Sequence, residues 1–146
     1  MPHLSLCIPA YSMGGSGAEF LKQSFEILAC QSFKDFEVVV SDQSDDRAVA
    51  AVCEAFSDRL SLRHIWNREG KRQASANGNN AMRHAEGEIV KILFQDDYLN
   101  SDNTLEVIVN AIGSSGAWHL CGSGVSRNGG AVERPMVPRL TGKLKF

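Results

Sequence analysis

No charge of one sign dominates this 146-residue chain. Fifteen Lys and Arg face seventeen Asp and Glu, a formal net charge of −2, and the isoelectric point is near 6.1. That near-balance excludes a general attraction to nucleic acid or to an anionic membrane surface, so a ligand must be held by local features. Cysteine is sparse: Cys7, Cys30, Cys53 and Cys121 lie far apart without a Cys-x-x-Cys pair. This excludes a zinc or disulfide framework, and the four read as small buried hydrophobes in a reducing compartment. No stretch approaches the length of a membrane span. The first residues enter a strand-like run directly, without the charged start and long apolar core of a secretory signal. A cytoplasmic domain is expected, with peripheral membrane association left open. Internal repeats and low-complexity tracts are also missing.

What is present is a regular alternation of strand and helix signals. Leu4–Ile8 is a short apolar strand stopped by Pro9, and 11–17 is a loop rich in Gly and Ser. Leu21, Phe25 and Leu28 fall at helical spacing between Ala18 and about Ser32. Phe36–Val40 is a second strand ending in the polar turn Ser41-Asp42-Gln43-Ser44, and Val49, Val52, Cys53 and Phe56 form the stripe of a second helix. Leu62–Trp66 reads as a shorter strand near a sheet edge. A basic loop, Asn67 to Arg72, leads to a polar helix over roughly Gln73 to Ala85, with Gly78, Ala81 and Ala85 allowing close approach to the sheet and Gly87 as its C-terminal stop. Ile89–Phe94 reads as a fully buried strand, followed by Asp96-Asp97 and by a helix carrying Leu105, Ile108, Val109 and Ile112. This order predicts an α/β fold, a mostly parallel sheet with helices on both faces. Beyond it, Ala117–Val125 reads as a strand, Asn128-Gly129-Gly130 as a hairpin turn and Ala131–Glu133 as a short return strand. The expected division is a domain over 1–134 and a loop or tail over 135–146.

In such a sheet the C-terminal strand ends lie side by side, and ligands bind in the crevice outside them. The turns after Ile8, Val40, Trp66 and Phe94 bring together Pro9, Ala10, Tyr11, Asp42, Lys71, Arg72, Asp96 and Asp97. An aromatic ring, a hydrogen-bonding acid, cations and paired carboxylates suit a nucleoside diphosphate. Two adjacent carboxylates at a partly dry strand end repel each other, which Mn²⁺ or Mg²⁺ would offset. The competing reading of Asp96-Asp97 is a loop-shaping turn before a helix capped by Ser101-Asp102, and that of Lys71 and Arg72 is a solvated surface pair. The four histidines read as surface or satisfied core residues, and Trp66 and Trp118 as core. Lys91 inside a buried strand either snorkels to solvent or pairs with a carboxylate.

Four segments together resemble the inverting glycosyltransferases of family 2, which have the GT-A fold. Leu6-Cys7-Ile8-Pro9-Ala10-Tyr11-Ser12 resembles the family's first strand and Pro-x-Tyr-Asn turn, and 31–42 the stretch leading to its nucleotide-binding Asp, here Asp42. Residues 79–88 resemble the helix and turn before its Asp-x-Asp strand, and Phe94-Gln95-Asp96-Asp97 occupies the Asp-x-Asp position. The resemblance runs from Leu4 to about Gly130. It implies that Pro9 and Tyr11 line the nucleobase pocket with Ala10, that Asp42 hydrogen-bonds base or ribose, and that Lys71 and Arg72 meet phosphate. Asp96 would bind a Mn²⁺ or Mg²⁺ ion that bridges the diphosphate, supported by Asp97.

The implied reaction is attack by an acceptor hydroxyl on the anomeric carbon of a nucleotide sugar, a UDP-sugar by expectation, with inversion. The acceptor would be a glycan, a lipid-linked group or a protein. Two departures stand out. Phe94 occupies the place of the first acid in many members, and the family's acceptor site and catalytic base lie C-terminal to the matched region. A donor-binding part, truncated before the acceptor half and without a candidate base, is the expectation. The alternatives are a non-catalytic nucleotide- or partner-binding module and a Rossmann dinucleotide oxidoreductase. The latter fits Gly15-Ser16-Gly17 poorly, because the third glycine position is Phe20.

Overall fold

The computed structural model describes residues 1–69, 72–113, 121–125 and 133–136, the last four by their backbone alone. Two compact units divide it, Met1–Ala111 and Ile112–Phe146. In the first, β1 (Leu4–Ala10), β2 (Phe36–Asp42), β3 (Leu62–Trp66) and β4 (Ile89–Ile92) form a sheet of order β3-β2-β1-β4 in which every pairing is parallel. Helices α1 (Gly17–Ala29), α2 (Ala48–Phe56), α3 (Ala74–Arg83) and α4 (Thr104–Ile112) separate or follow the strands.

Alternation along β1 and β2 decides how the helices pack. Leu4, Leu6, Ile8 and Ala10, with Val38 and Val40, join Leu21, Phe25 and Leu28 of α1, Val49, Cys53 and Phe56 of α2, and Leu105 of α4 in the larger core. Cys7 and Val39 point to the other face, where they meet Ala81 of α3 with Met82 and Ala85 alongside. Helices therefore cover both faces of a parallel sheet, as the alternation predicts. Among the described residues, no helix is long and apolar enough to cross a membrane.

Several local expectations are corrected. Pro9 does not stop β1, which runs to Ala10. The Cys7 carbonyl accepts from Leu93 N–H on the β4 side and the Ala10 carbonyl from Gln43 N–H on the β2 side, so by alternation Pro9 faces the β4 side. Pairing with β4 has ended at Cys7–Ile92 by then, and the missing N–H costs nothing. The fully buried strand expected at Ile89–Phe94 is four residues long and, among the described residues, lies at the sheet edge. Among the described residues it pairs with β1 alone, Val90 and Ile92 remain exposed on the α3 face, and the continuously buried strands are β1 and β2. Lys91, half-buried, lies near enough for its charge to act on Asp97.

Gly87 is no helix stop, since α3 ends at Arg83 with His84 as its C-cap. A Cβ on Gly87 would meet Ser5 N and Oγ at 2.7 Å each, so the glycine lets the chain cross the start of β1. Gly78 has no such role, because a Cβ there would meet only Ile92 Cδ1 at an ordinary 3.8 Å. Cys7 and Cys53 are buried as expected, but Cys30 and Cys121 are exposed. Trp66 is half-exposed rather than core, with the Arg68 guanidinium 4.1 Å above its ring.

In the second unit, β5 (Ser123–Val125) and β6 (Glu133–Met136) pair antiparallel. The boundary expected after residue 134 falls inside β6, and Pro135 belongs to that strand. The hairpin turn at 128–130, Trp118, His119 and the tail from 137 lie outside the described residues.

Candidate functional site

At the C-terminal edge of the sheet, the loops after β1, β2 and β4 and the approach to α3 enclose a cleft of about 410 Å³. Its walls include Pro9, Tyr11, Ser12, Gln43, Asp45 and Arg72, with Asn77, Phe94, Gln95 and Asp96 completing the side toward α3 and β4. Of the residues expected from sequence, the cleft gathers Pro9, Tyr11, Arg72 and Asp96. Ala10 and Asp42 lie beneath it, fully buried. Asp97 follows Asp96 in a turn closed by its own N–H to the Phe94 carbonyl, 3.0 Å, and is not part of the cleft wall. Lys71 lies outside the described residues.

The β1 loop is held in place by a glutamine that sequence reading passed over. Gln95 is buried; its Oε1 accepts from Tyr11 N–H at 3.0 Å and its Nε2 donates to the Gly17 carbonyl at 2.5 Å. Both ends of the loop are thereby tied to the end of β4. A Cβ at Gly17 would run into the Tyr11 carbonyl oxygen and lie 2.7 Å from Gln95 Nε2, so only glycine lets helix α1 start this close. Between them Met13, Gly14 and Gly15 all have positive φ, and this left-handed stretch turns the loop along the cleft. Tyr11 is left about half exposed, with its ring available to a ligand.

Asn77 is the second residue missed. Buried on α3, its Nδ2 donates to the carbonyls of Ala10 (3.0 Å) and Ser41 (2.9 Å). Its Oδ1 accepts from Ser41 Oγ (2.6 Å) and Asn67 Nδ2 (3.0 Å). One side chain thus clamps the ends of β1 and β2 to the helix and the loop after β3. The available signal was the polarity of a helix that had to lie on a sheet, because buried polar groups need partners.

Asp42, expected to contact base or ribose, is engaged within the protein. Its Oδ2 shares a 2.9 Å hydrogen bond with His64 Nε2, and its Oδ1 accepts from Ser44 N–H at 2.8 Å. Burial raises the carboxyl's pKa, but the bonds from His64 and Ser44 outweigh it and hold the group below its usual range. His64 therefore has a carboxylate partner, which follows from the β2–β3 register that sets it opposite Val40, one alternation before Asp42.

Two carboxylates and one cation define the charge of the described cleft wall: Asp45, Asp96 and Arg72. The Arg72 guanidinium pairs with Asp45 through both nitrogens, Nη1 to Oδ2 at 2.8 Å and Nη2 to Oδ1. That pairing holds the Asp45 carboxyl below its usual range. Asp97 moves the other way, pushed up by partial burial and by the charge of Asp96, against a smaller opposing effect of Lys91. No group of three or more His, Cys, Asp or Glu capable of holding a metal occurs among the described residues. A pair of adjacent carboxylates at the cleft edge nevertheless fits Mg²⁺ or Mn²⁺, which commonly take one or two carboxylates and fill their remaining positions with phosphate oxygens and water.

Residues 5–145 match the sequence profile of Glycosyl transferase family 2. The chain belongs to that family. The dinucleotide reading of Gly15-Ser16-Gly17 falls away with this match. Over 102 residues this family 2 chain is 31% identical to a GalNAc(5)-diNAcBac-PP-undecaprenol beta-1,3-glucosyltransferase of Campylobacter jejuni, covering 69% of the chain and 32% of that relative. It superimposes on S. aureus TarS in complex with UDP with a TM-score of 0.65 at 29% identity, over 75% of this chain and 31% of that one. The mannosyltransferase PcManGT of Pyrobaculum calidifontis, in complex with GDP-Man and Mn²⁺, gives a TM-score of 0.64 at 29% identity, over 76% and 32%. The family 2 chain spans about a third of the length of each.

Proposed function

We propose that this chain is the donor-binding part of a glycosyltransferase that takes a sugar from a nucleoside diphosphate sugar, UDP-linked by preference, and delivers it to a hydroxyl with inversion. The observation that carries the reading is the cleft itself: in a family 2 chain, one cleft at the C-terminal sheet edge combines Tyr11, Arg72 and Asp96. Two relatives support it by what they bind, TarS with UDP-GlcNAc and PcManGT with GDP-Man and Mn²⁺.

Each residue then has a task. Pro9 and the exposed face of Tyr11 line the base pocket, and the bond from Tyr11 N–H to Gln95 fixes the ring's approach. Asp42, engaged by His64 and Ser44, steadies the cleft floor beside Gln43 of the wall. Arg72 meets the phosphates as a bidentate donor. Asp96, seconded by Asp97, would hold Mn²⁺ or Mg²⁺ together with the diphosphate. Bound there, the cation supplies charge neutralisation for the departing nucleoside diphosphate. The acceptor is expected to be a glycan, a lipid-linked group or a protein.

Calorimetric titration of UDP with and without Mn²⁺ tests the reading. Binding that tightens with Mn²⁺, and loses that increment in Asp96→Asn, is expected. Absence of nucleotide binding under both conditions would refute it, and metal-independent binding would refute the role of Asp96.

A further inference from the structure

We infer that Asp45 is an internal competitor for the nucleotide's phosphates: its carboxylate engages the Arg72 guanidinium in the manner a phosphate would, and a bound diphosphate must displace it. The inference rests on the donor-binding reading of the cleft and adds a determinant of affinity and release to it.

Geometry carries the argument. A guanidinium fork accepts a carboxylate or a phosphate with the same two parallel bonds, so the two anions compete for one donor. Arg72 and Asp45 sit 27 positions apart, on the approach to α3 and the loop after β2, and both line the cleft. The pair is therefore a contact across the site, not a local helix pair. Its side chains are 64% and 72% exposed, which lets an incoming anion exchange with Asp45 without unpacking anything. The adjacent Asp46 is engaged elsewhere, accepting from Ser12 Oγ at 3.1 Å and from Ala48 N–H at 2.9 Å. Asp45 alone of the two faces the ligand. With Asp96 it leaves the described wall with two carboxylates against one guanidinium, a balance that opposes a diphosphate until a cation arrives with it. Displacement costs affinity, and recapture of Arg72 by Asp45 helps expel the spent nucleotide.

The experiment is titration of the whole chain with UDP, and separately with uridine, in Mn²⁺, for wild type, D45N, R72A and the double variant. D45N is expected to bind UDP about two- to fivefold more tightly, from the modest strength of exposed ion pairs. Uridine affinity should not change, and the gain should vanish in the R72A background. Weaker or unchanged UDP binding by D45N would overturn the inference, as would a gain that survives in R72A. Failure of wild type to bind UDP at all would instead bring down the donor reading and this inference with it. Melting temperatures of the variants should match wild type, since both side chains are exposed.

Discussion

Replacing Asn77 by alanine should damage stability and ligand binding together, because one side chain closes four hydrogen bonds at the head of the sheet. It donates to the Ala10 and Ser41 carbonyls and accepts from Ser41 Oγ and Asn67 Nδ2. A net contribution of about 0.5–1.5 kcal/mol for each would give up to about 6 kcal/mol if all four were lost outright. Two partners keep a second contact: the Ala10 carbonyl still accepts from Gln43 N–H, and Ser41 Oγ still accepts from Asn80 Nδ2, each at 2.9 Å. The expected loss is therefore about 2–4 kcal/mol. At roughly 3–4 °C per kcal/mol for a domain of this size, melting should fall by about 6–16 °C. Thermal unfolding followed by circular dichroism reads this directly. Asn77→Asp keeps the shape but turns an oxygen toward two carbonyl oxygens in place of the amide donor, so at neutral pH it should cost at least as much. A drop of less than about 3 °C in Asn77→Ala would refute the clamp.

Asp42 should make stability sensitive to acid. Its carboxyl lies below the ordinary value of 3.8 in the folded protein, so its contribution is present above that value and disappears as pH falls through the folded value. Urea midpoints between pH 5 and 2 should fall more steeply in wild type than in Asp42→Asn; equal slopes would contradict the assignment. Gly17→Ala should force the start of α1 away from Tyr11 and Gln95, lowering stability by about 1–3 kcal/mol and weakening UDP binding, both measurable on one purified sample; unchanged UDP affinity would contradict the loop's role. Thiol titration of the native protein should label Cys30 and Cys121 quickly, while Cys7 and Cys53 wait for unfolding because burial hides them and pushes their thiols up to about 12. Fast labelling of all four would show the core to be open.

The alternation of apolar runs made the parallel sheet and its helices legible from sequence, since period-2 and helical spacing are local properties of the chain. The position of each strand in the sheet was not. Ile89–Phe94 reads as a buried central strand because it is an almost continuous apolar run, yet among the described residues it pairs with β1 alone, and Val90 and Ile92 are exposed. At the site, the residues that announce chemistry by type were legible: Tyr11, Arg72 and Asp96 do line one cleft. What escaped were side chains whose partners are distant in sequence. Gln95 bonds across 84 positions to Tyr11 and Asn77 across 67 to Ala10. The carboxylate that satisfies His64 lies on the neighbouring strand, 22 residues earlier. Asp42 was read into the turn after Val40, but β2 runs on to Asp42 and carries it, fully buried, beneath the cleft.

Paramagnetic broadening of backbone amide signals by substoichiometric Mn²⁺, recorded with and without UDP, probes the metal–nucleotide cleft most directly. The account predicts broadening centred on 94–97 and reaching Tyr11–Gly14 and Arg72, strong only when UDP is present and abolished in Asp96→Asn. Broadening elsewhere on the sheet, or a pattern indifferent to UDP and to Asp96, would contradict it.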